Sequence, residues 1–113
     1  MAKIEIARSL FSEIQKRFKG ESHNILDLMK SLQDHPRKGK ELGTVGGIVI
    51  KELKYKSFRF YFITDGFKLK CLNVNELVDL LIRFVKMSDK KSQQGTINKI
   101  KHILQTIGPS GFD

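Results

Sequence analysis

The chain predicts an α+β domain in which an N-terminal helical hairpin packs on a β-sheet and a C-terminal helix closes the sequence. Three observations carry this. Apolar residues recur at three- and four-residue steps between Leu10 and Leu32, β-branched and alternating residues occupy 48 to 72, and helical spacing returns between Ile97 and Ile107. At 113 residues the chain suits a single domain spanning 1–113. Its 40% hydrophobic content is enough for one core and argues against disorder.

Ile4 and Ile6 alternate with Lys3 and Glu5, which predicts a short strand. Ser9 is placed to cap a helix whose stripe is Leu10, Phe11, Ile14 and Phe18, with Gly20 as its stop. Ser22 or Asn24 caps a second helix carrying Ile25, Leu28, Met29 and Leu32 until His35-Pro36 breaks the pattern. A polar loop from Arg37 to Lys40 and the glycines 43, 46 and 47 follow, then Ile48-Val49-Ile50 opens a strand to about Tyr55. From Phe58 to Phe62 the side chains alternate, sending Phe58, Phe60 and Phe62 to one face and Arg59 and Tyr61 to the other. Asp65-Gly66 predicts a hairpin turn into a strand over Phe67 to Leu72, with Lys68 and Lys70 on one side. Residues 76 to 87 suit a helix or a central strand equally well by periodicity. Ile97, Ile100, Leu104 and Ile107 then predict a helix from Ser92 to Ile107, stopped by Gly108-Pro109.

Charge narrows the function. Twenty-one basic residues face 12 acidic ones, for a net +9, which points to polyanionic partners. The excess is local: residues 37 to 70 hold nine basic and three acidic side chains. One cysteine, Cys71, excludes an internal disulfide framework and any thiolate zinc site, and fits a reducing cytoplasm. No apolar run approaches the roughly 20 residues that span a bilayer, so no membrane role is expected. No phosphate-binding glycine loop, dinucleotide fingerprint or His-Glu-x-x-His motif is present, so no cofactor or metal is expected. His23, His35 and His102 are far apart and read as surface or capping residues.

The remaining signal is a basic sheet face. Arg59 and Tyr61, joined by Lys51 or Lys54 from the preceding strand and by Lys68 or Lys70 from the following one, would make a phosphate-binding surface, since arginine grips phosphate through a fork and lysine as a point charge. A solvated face with Arg59 paired to Glu52 accounts for the same residues equally well. A second basic group, Lys86, Lys90 and Lys91, precedes the last helix, whose free amides favour anions. Arg37 and Lys38 add cations in the loop before the sheet.

Taken in order, His35-Pro36, Glu52-Leu53, Phe58 to Phe62, Asp65-Gly66 and Phe84-Val85-Lys86 with Ser88 and Lys90 resemble the RelE/ParE superfamily of toxins from type II toxin-antitoxin modules, especially its HigB-like and ParE-like members. Met87 stands where those toxins carry a further lysine, and residues 72 to 80 exceed their usual connection. The resemblance implies an antiparallel sheet of about four strands cradled by the N-terminal helices, with 80 to 87 as a strand.

It also implies function: an endoribonuclease that cleaves mRNA on the ribosome without metal, or, alternatively, a non-catalytic inhibitor of DNA gyrase. Either is neutralised by a cognate antitoxin, expected here to be acidic. A basic RNA-binding module without catalysis is the third reading. By analogy Arg59 stabilises the scissile phosphate, Lys54 or Lys51 acts as base or added charge, and Lys86 and Lys90 clamp RNA or supply an acid. Lys68, Lys70, Lys91, Arg37 and Lys38 are further candidates for backbone contacts, and Tyr61 for stacking a base or donating a proton. The last helix lacks the tyrosine that some such enzymes keep.

Overall fold

The computed structural model describes residues 1–113. The order is β1 (Lys3–Ile6), α1 (Arg8–Phe18), α2 (Ser22–Lys30), β2 (Lys40–Val45), β3 (Ile48–Tyr55), β4 (Phe58–Asp65), α3 (Gly66–Cys71), β5 (Leu81–Asp89) and α4 (Gln93–Thr106). The sheet runs β1-β5-β4-β3-β2, antiparallel except for β1, which lies parallel to β5. The expected α+β class is present, but the sheet is mixed and five-stranded rather than antiparallel with about four strands. Strand β2 forms from residues that read as loop and glycines, and the strand expected over Phe67 to Leu72 is absent from the sheet.

Alternation along β4 divides the molecule into three layers. Phe60 and Phe62 join Val49, Leu53, Ile82 and Phe84 under Leu10, Ile14, Ile25 and Met29 of the α1–α2 hairpin. Phe18 locks the hairpin's bend to the sheet, its ring 5.1 Å from Phe58 and 6.1 Å from Phe60. On the opposite face Ile50, Tyr61, Ile63 and Val85 pack against Ile97, Ile100 and Leu104 of α4. The face expected to meet solvent is therefore a second core, because the stripe of α4 needs an apolar surface to bury.

Several local expectations change. Helix α1 starts at Arg8 without a side-chain cap, and the Ser9 hydroxyl instead donates to the carbonyl of Asp113. Lys19, not Gly20, is the left-handed residue that ends α1, and α2 begins at Ser22, whose hydroxyl donates back to Lys19. Ile107 stands largely in solvent and Phe11 is 41% exposed. The ambiguous segment resolves into both forms: a short helical turn at Val74–Asp79 that buries Leu77, then strand β5.

Asp65-Gly66 does not turn a hairpin. Asp65 is extended and its carboxylate accepts from the Lys68 amide, so it caps α3, and residues 66 to 71 are helical. The Gly66 amide donates to the Gly47 carbonyl at 2.9 Å. The glycine pair that does turn a hairpin is Gly46-Gly47, both with positive φ, which matches the twist of β2 and β3.

A Cβ at Gly66 would lie 2.9 Å from the Gly47 carbonyl oxygen, a backbone atom that moves only with its turn. Gly66→Ala should therefore lower stability by about 1 to 3 kcal/mol in urea denaturation, against the gain of about 1 kcal/mol that alanine brings to an unconstrained helix position. A stabilised variant would show that this close approach does not constrain the fold.

Candidate nucleic-acid interface

Strand register decides which cations can meet. Lys54 on β3, Arg59 on β4 and Ser88 on β5 lie directly opposite one another in one row, and Glu52, Tyr61 and Lys86 form the next. Opposed residues share a face, so all six lie on the α4 side. The row of Arg59 sits at the end of the sheet from which β5 passes through Lys90 and Lys91 into α4. A bulge between Tyr61 and Phe62 leaves Val85 as an extra residue on β5, placing Lys86 opposite Tyr61.

The burial of these groups is unusual for charge. Arg59 is 8% exposed and Glu52 2%. The Arg59 Nη1 donates to the Ser57 carbonyl at 3.2 Å, its Nε has no hydrogen-bond partner, and no carboxylate lies within ion-pair distance of it. Glu52 accepts a long 3.4 Å bond from Gln93 at Oε2, while its Oε1 is unpartnered. The expected alternative, Arg59 neutralised by Glu52, does not occur. Two buried charges on one face, each incompletely bonded, carry a desolvation cost that a bound polar group would relieve.

Tyr61 is wholly buried beneath α4, so it cannot stack on a base as expected. Its hydroxyl lies 2.7 Å from the Ser88 Oγ, and since Ser88 gives its own proton to the Asp89 carbonyl, Tyr61 is the donor. Burial raises the Tyr61 pKa above its usual value, opposed by the bond to Ser88, so the phenol stays protonated. Asp89 is held below the ordinary carboxylate range by the Ser92 amide, with the charge of Lys91 a smaller cause, so Lys91 shares its field with an acid. Lys54, Lys90 and Lys91 are exposed and Lys86 is half-buried.

The other expected contacts lie elsewhere. Lys51 opposes Phe62 and so belongs to the helical-hairpin face, away from Arg59. There it is 5% exposed, donates to the Arg37 carbonyl at 2.8 Å and lies over the Phe62 ring, and burial lowers its pKa. Arg37 is itself engaged, its Nε donating to the Leu69 carbonyl at 3.0 Å and its Nη2 to that of Leu72, where it caps α3. Lys38 is exposed in the same loop. Lys68 and Lys70 ride on α3 beyond Asp65, six residues along β4 from Arg59, roughly 20 Å in an extended strand.

Glu52, Ser88 and Gln93 enter the site without having been singled out as its members. Parity was the available signal for Glu52, since Ile50, Glu52 and Lys54 must share a face once β3 is regular. No three His, Cys, Asp or Glu side chains come close enough to hold a metal ion, and no helix is long and apolar enough to cross a membrane. Compared with protein-family models, with curated proteins and with solved structures, the chain shows no match.

The raised Tyr61 pKa has a definite consequence for stability. The folded state holds the phenolic proton more tightly than the unfolded chain, so this contribution is complete below the unfolded value near 10.0 and is lost as pH rises through the folded value. Tyr61→Phe should cost about 1 kcal/mol at neutral pH and flatten the alkaline decline seen in urea denaturation from about pH 9 to 11. Equal slopes for both proteins would place the phenol in water.

Proposed function

We propose that the protein is a metal-independent endoribonuclease acting on mRNA in the ribosome, the toxin of a type II toxin-antitoxin module with a RelE-like arrangement of its domain. The supporting observation is Arg59: a nearly buried guanidinium, free of any acidic partner, in one row with Lys54 and one row from Lys86. A phosphate is the natural occupant of such a place, because it accepts from the free Nη2 and neutralises the charge.

The chemistry follows from the same residues. Arg59 stabilises charge developing on the scissile phosphate, Lys54 and Lys86 hold the flanking backbone, and Lys90 and Lys91 extend the grip along the turn into α4. Activation of the 2′-hydroxyl falls to Lys54, which is exposed opposite Arg59. Lys51 drops out of the proposed role because it lies on the far face. An acidic antitoxin would mask this end of the sheet.

A second reading, RNA binding without cleavage, is favoured by the near-complete burial of Glu52 and Tyr61, which leaves cations alone at the surface. Inhibition of DNA gyrase is the third. A translation assay with an intact reporter mRNA separates them. Cleavage that requires translation, with Arg59→Ala slowing it about 100-fold or more, is the expected result. Intact transcripts with wild-type protein, and identical behaviour of Arg59→Ala, reject the nuclease; loss of gyrase supercoiling in a parallel assay selects the third reading.

A further inference from the structure

A concavity lies at the end of this sheet face opposite Arg59. It is a cleft of about 450 Å³, past the C-terminal end of α4 and walled by the turn at Pro109 and Ser110. Ile48, Ile63, Leu80 and Leu81 supply its apolar surface. Its charged groups are three acids, Glu5, Asp65 and Asp79, and two cations, Lys68 and Arg83.

Internal pairing occupies two of these acids, Glu5 and Asp65. Glu5 and Arg83 are register partners on β1 and β5 and approach to 3.5 Å. Asp65 is committed to capping α3, and the Thr64 hydroxyl donates to the Leu81 carbonyl. What remains unpaired is one ammonium, that of Lys68, and one carboxylate, that of Asp79. Arg83 turns only its buried Nε to Glu5, and its two Nη groups, which take part in no hydrogen bond or ion pair, remain to meet a ligand. A hydrocarbon floor flanked by one free cation, one spare guanidinium donor and one free anion is complementary to a compact aliphatic body that carries one carboxylate and one ammonium.

We infer that this cleft binds a free amino acid with a branched aliphatic side chain. The ligand's carboxylate meets Lys68 and Arg83, its ammonium meets Asp79, and its side chain lies on Ile63 and Leu81. This site is separate from the Arg59 end, and the inference stands whether or not the protein cleaves RNA.

Titration of the full chain with L-leucine, followed by amide chemical shifts, tests it. The expected result is saturable shifts around Lys68, Asp79 and Arg83 with a Kd below about 1 mM. Isocaproate, lacking the ammonium, and isoamylamine, lacking the carboxylate, should each bind at least about fivefold more weakly. The double substitution Lys68→Ala, Asp79→Asn changes two exposed side chains and should weaken L-leucine by a similar factor or more while leaving the remaining spectrum folded. Absence of saturable shifts up to about 20 mM L-leucine, equal affinity for isocaproate, or an unaffected double variant would each overturn the inference.

Discussion

The structure depends on β4 being buried from both sides. Because successive side chains of a strand point in opposite directions, Phe60 and Phe62 anchor the helical hairpin while Tyr61 and Ile63 anchor α4. Neither layer can be removed without exposing a row of large apolar side chains. The charged residues that share the Tyr61 face are then confined to its margins: Glu52 and Lys86 flank Tyr61 across the sheet, and the rest lie at the sheet's ends. Arg59 with Lys54 and Ser88 occupies one end, and Arg83 with Glu5 the other.

This confinement turns an ordinary basic composition into distinct environments. Lys51 and Arg37 have their polar groups taken up by backbone carbonyls, so their charge contributes to the general field and little to a specific grip. Arg59 keeps an unbonded Nε beside a carboxylate it does not touch. In the proposed function, surface lysines such as Lys90 and Lys91 would steer a polyanion toward the sheet, and the buried guanidinium would fix where a phosphate stops. The burial of Tyr61, with its raised pKa, makes the hydroxyl a fixed internal donor to Ser88 rather than a reagent.

Much of the fold was legible because periodicity is a local property. The helices α1, α2 and α4 and the strands β1, β3 and β4 follow directly from apolar spacing, and the opposite facing of Phe60 and Tyr61 follows from parity. What escaped required knowledge of neighbours. Asp65-Gly66 carries the residues of a tight turn, yet Asp65 caps a helix because Gly66 is drawn against Gly47; Gly46-Gly47 carries a weaker signal and makes the turn. Strand β2 has few β-formers and exists because the edge of β3 was open to it. In the candidate site, register sets Lys54 opposite Arg59 and Lys86 one row away on the same face, while Lys51, Lys68 and Lys70 lie elsewhere, since their positions depend on facing and on a hairpin that became a helix. The burial of Tyr61 was hidden because nothing in β4 announces which face α4 will cover.

The proposed function requires an anionic strand to bind across Arg59, Lys54 and Lys86, toward the end of the sheet from which β5 enters α4. Photocrosslinking a thiouridine-labelled mRNA to the protein on translating ribosomes, followed by mapping of the linked peptides, addresses it directly. Crosslinks concentrated within residues 54 to 59 and 86 to 91 are predicted. Crosslinks centred on residues 37 to 51 and on Lys68 and Lys70, or no crosslinks at all, would contradict it.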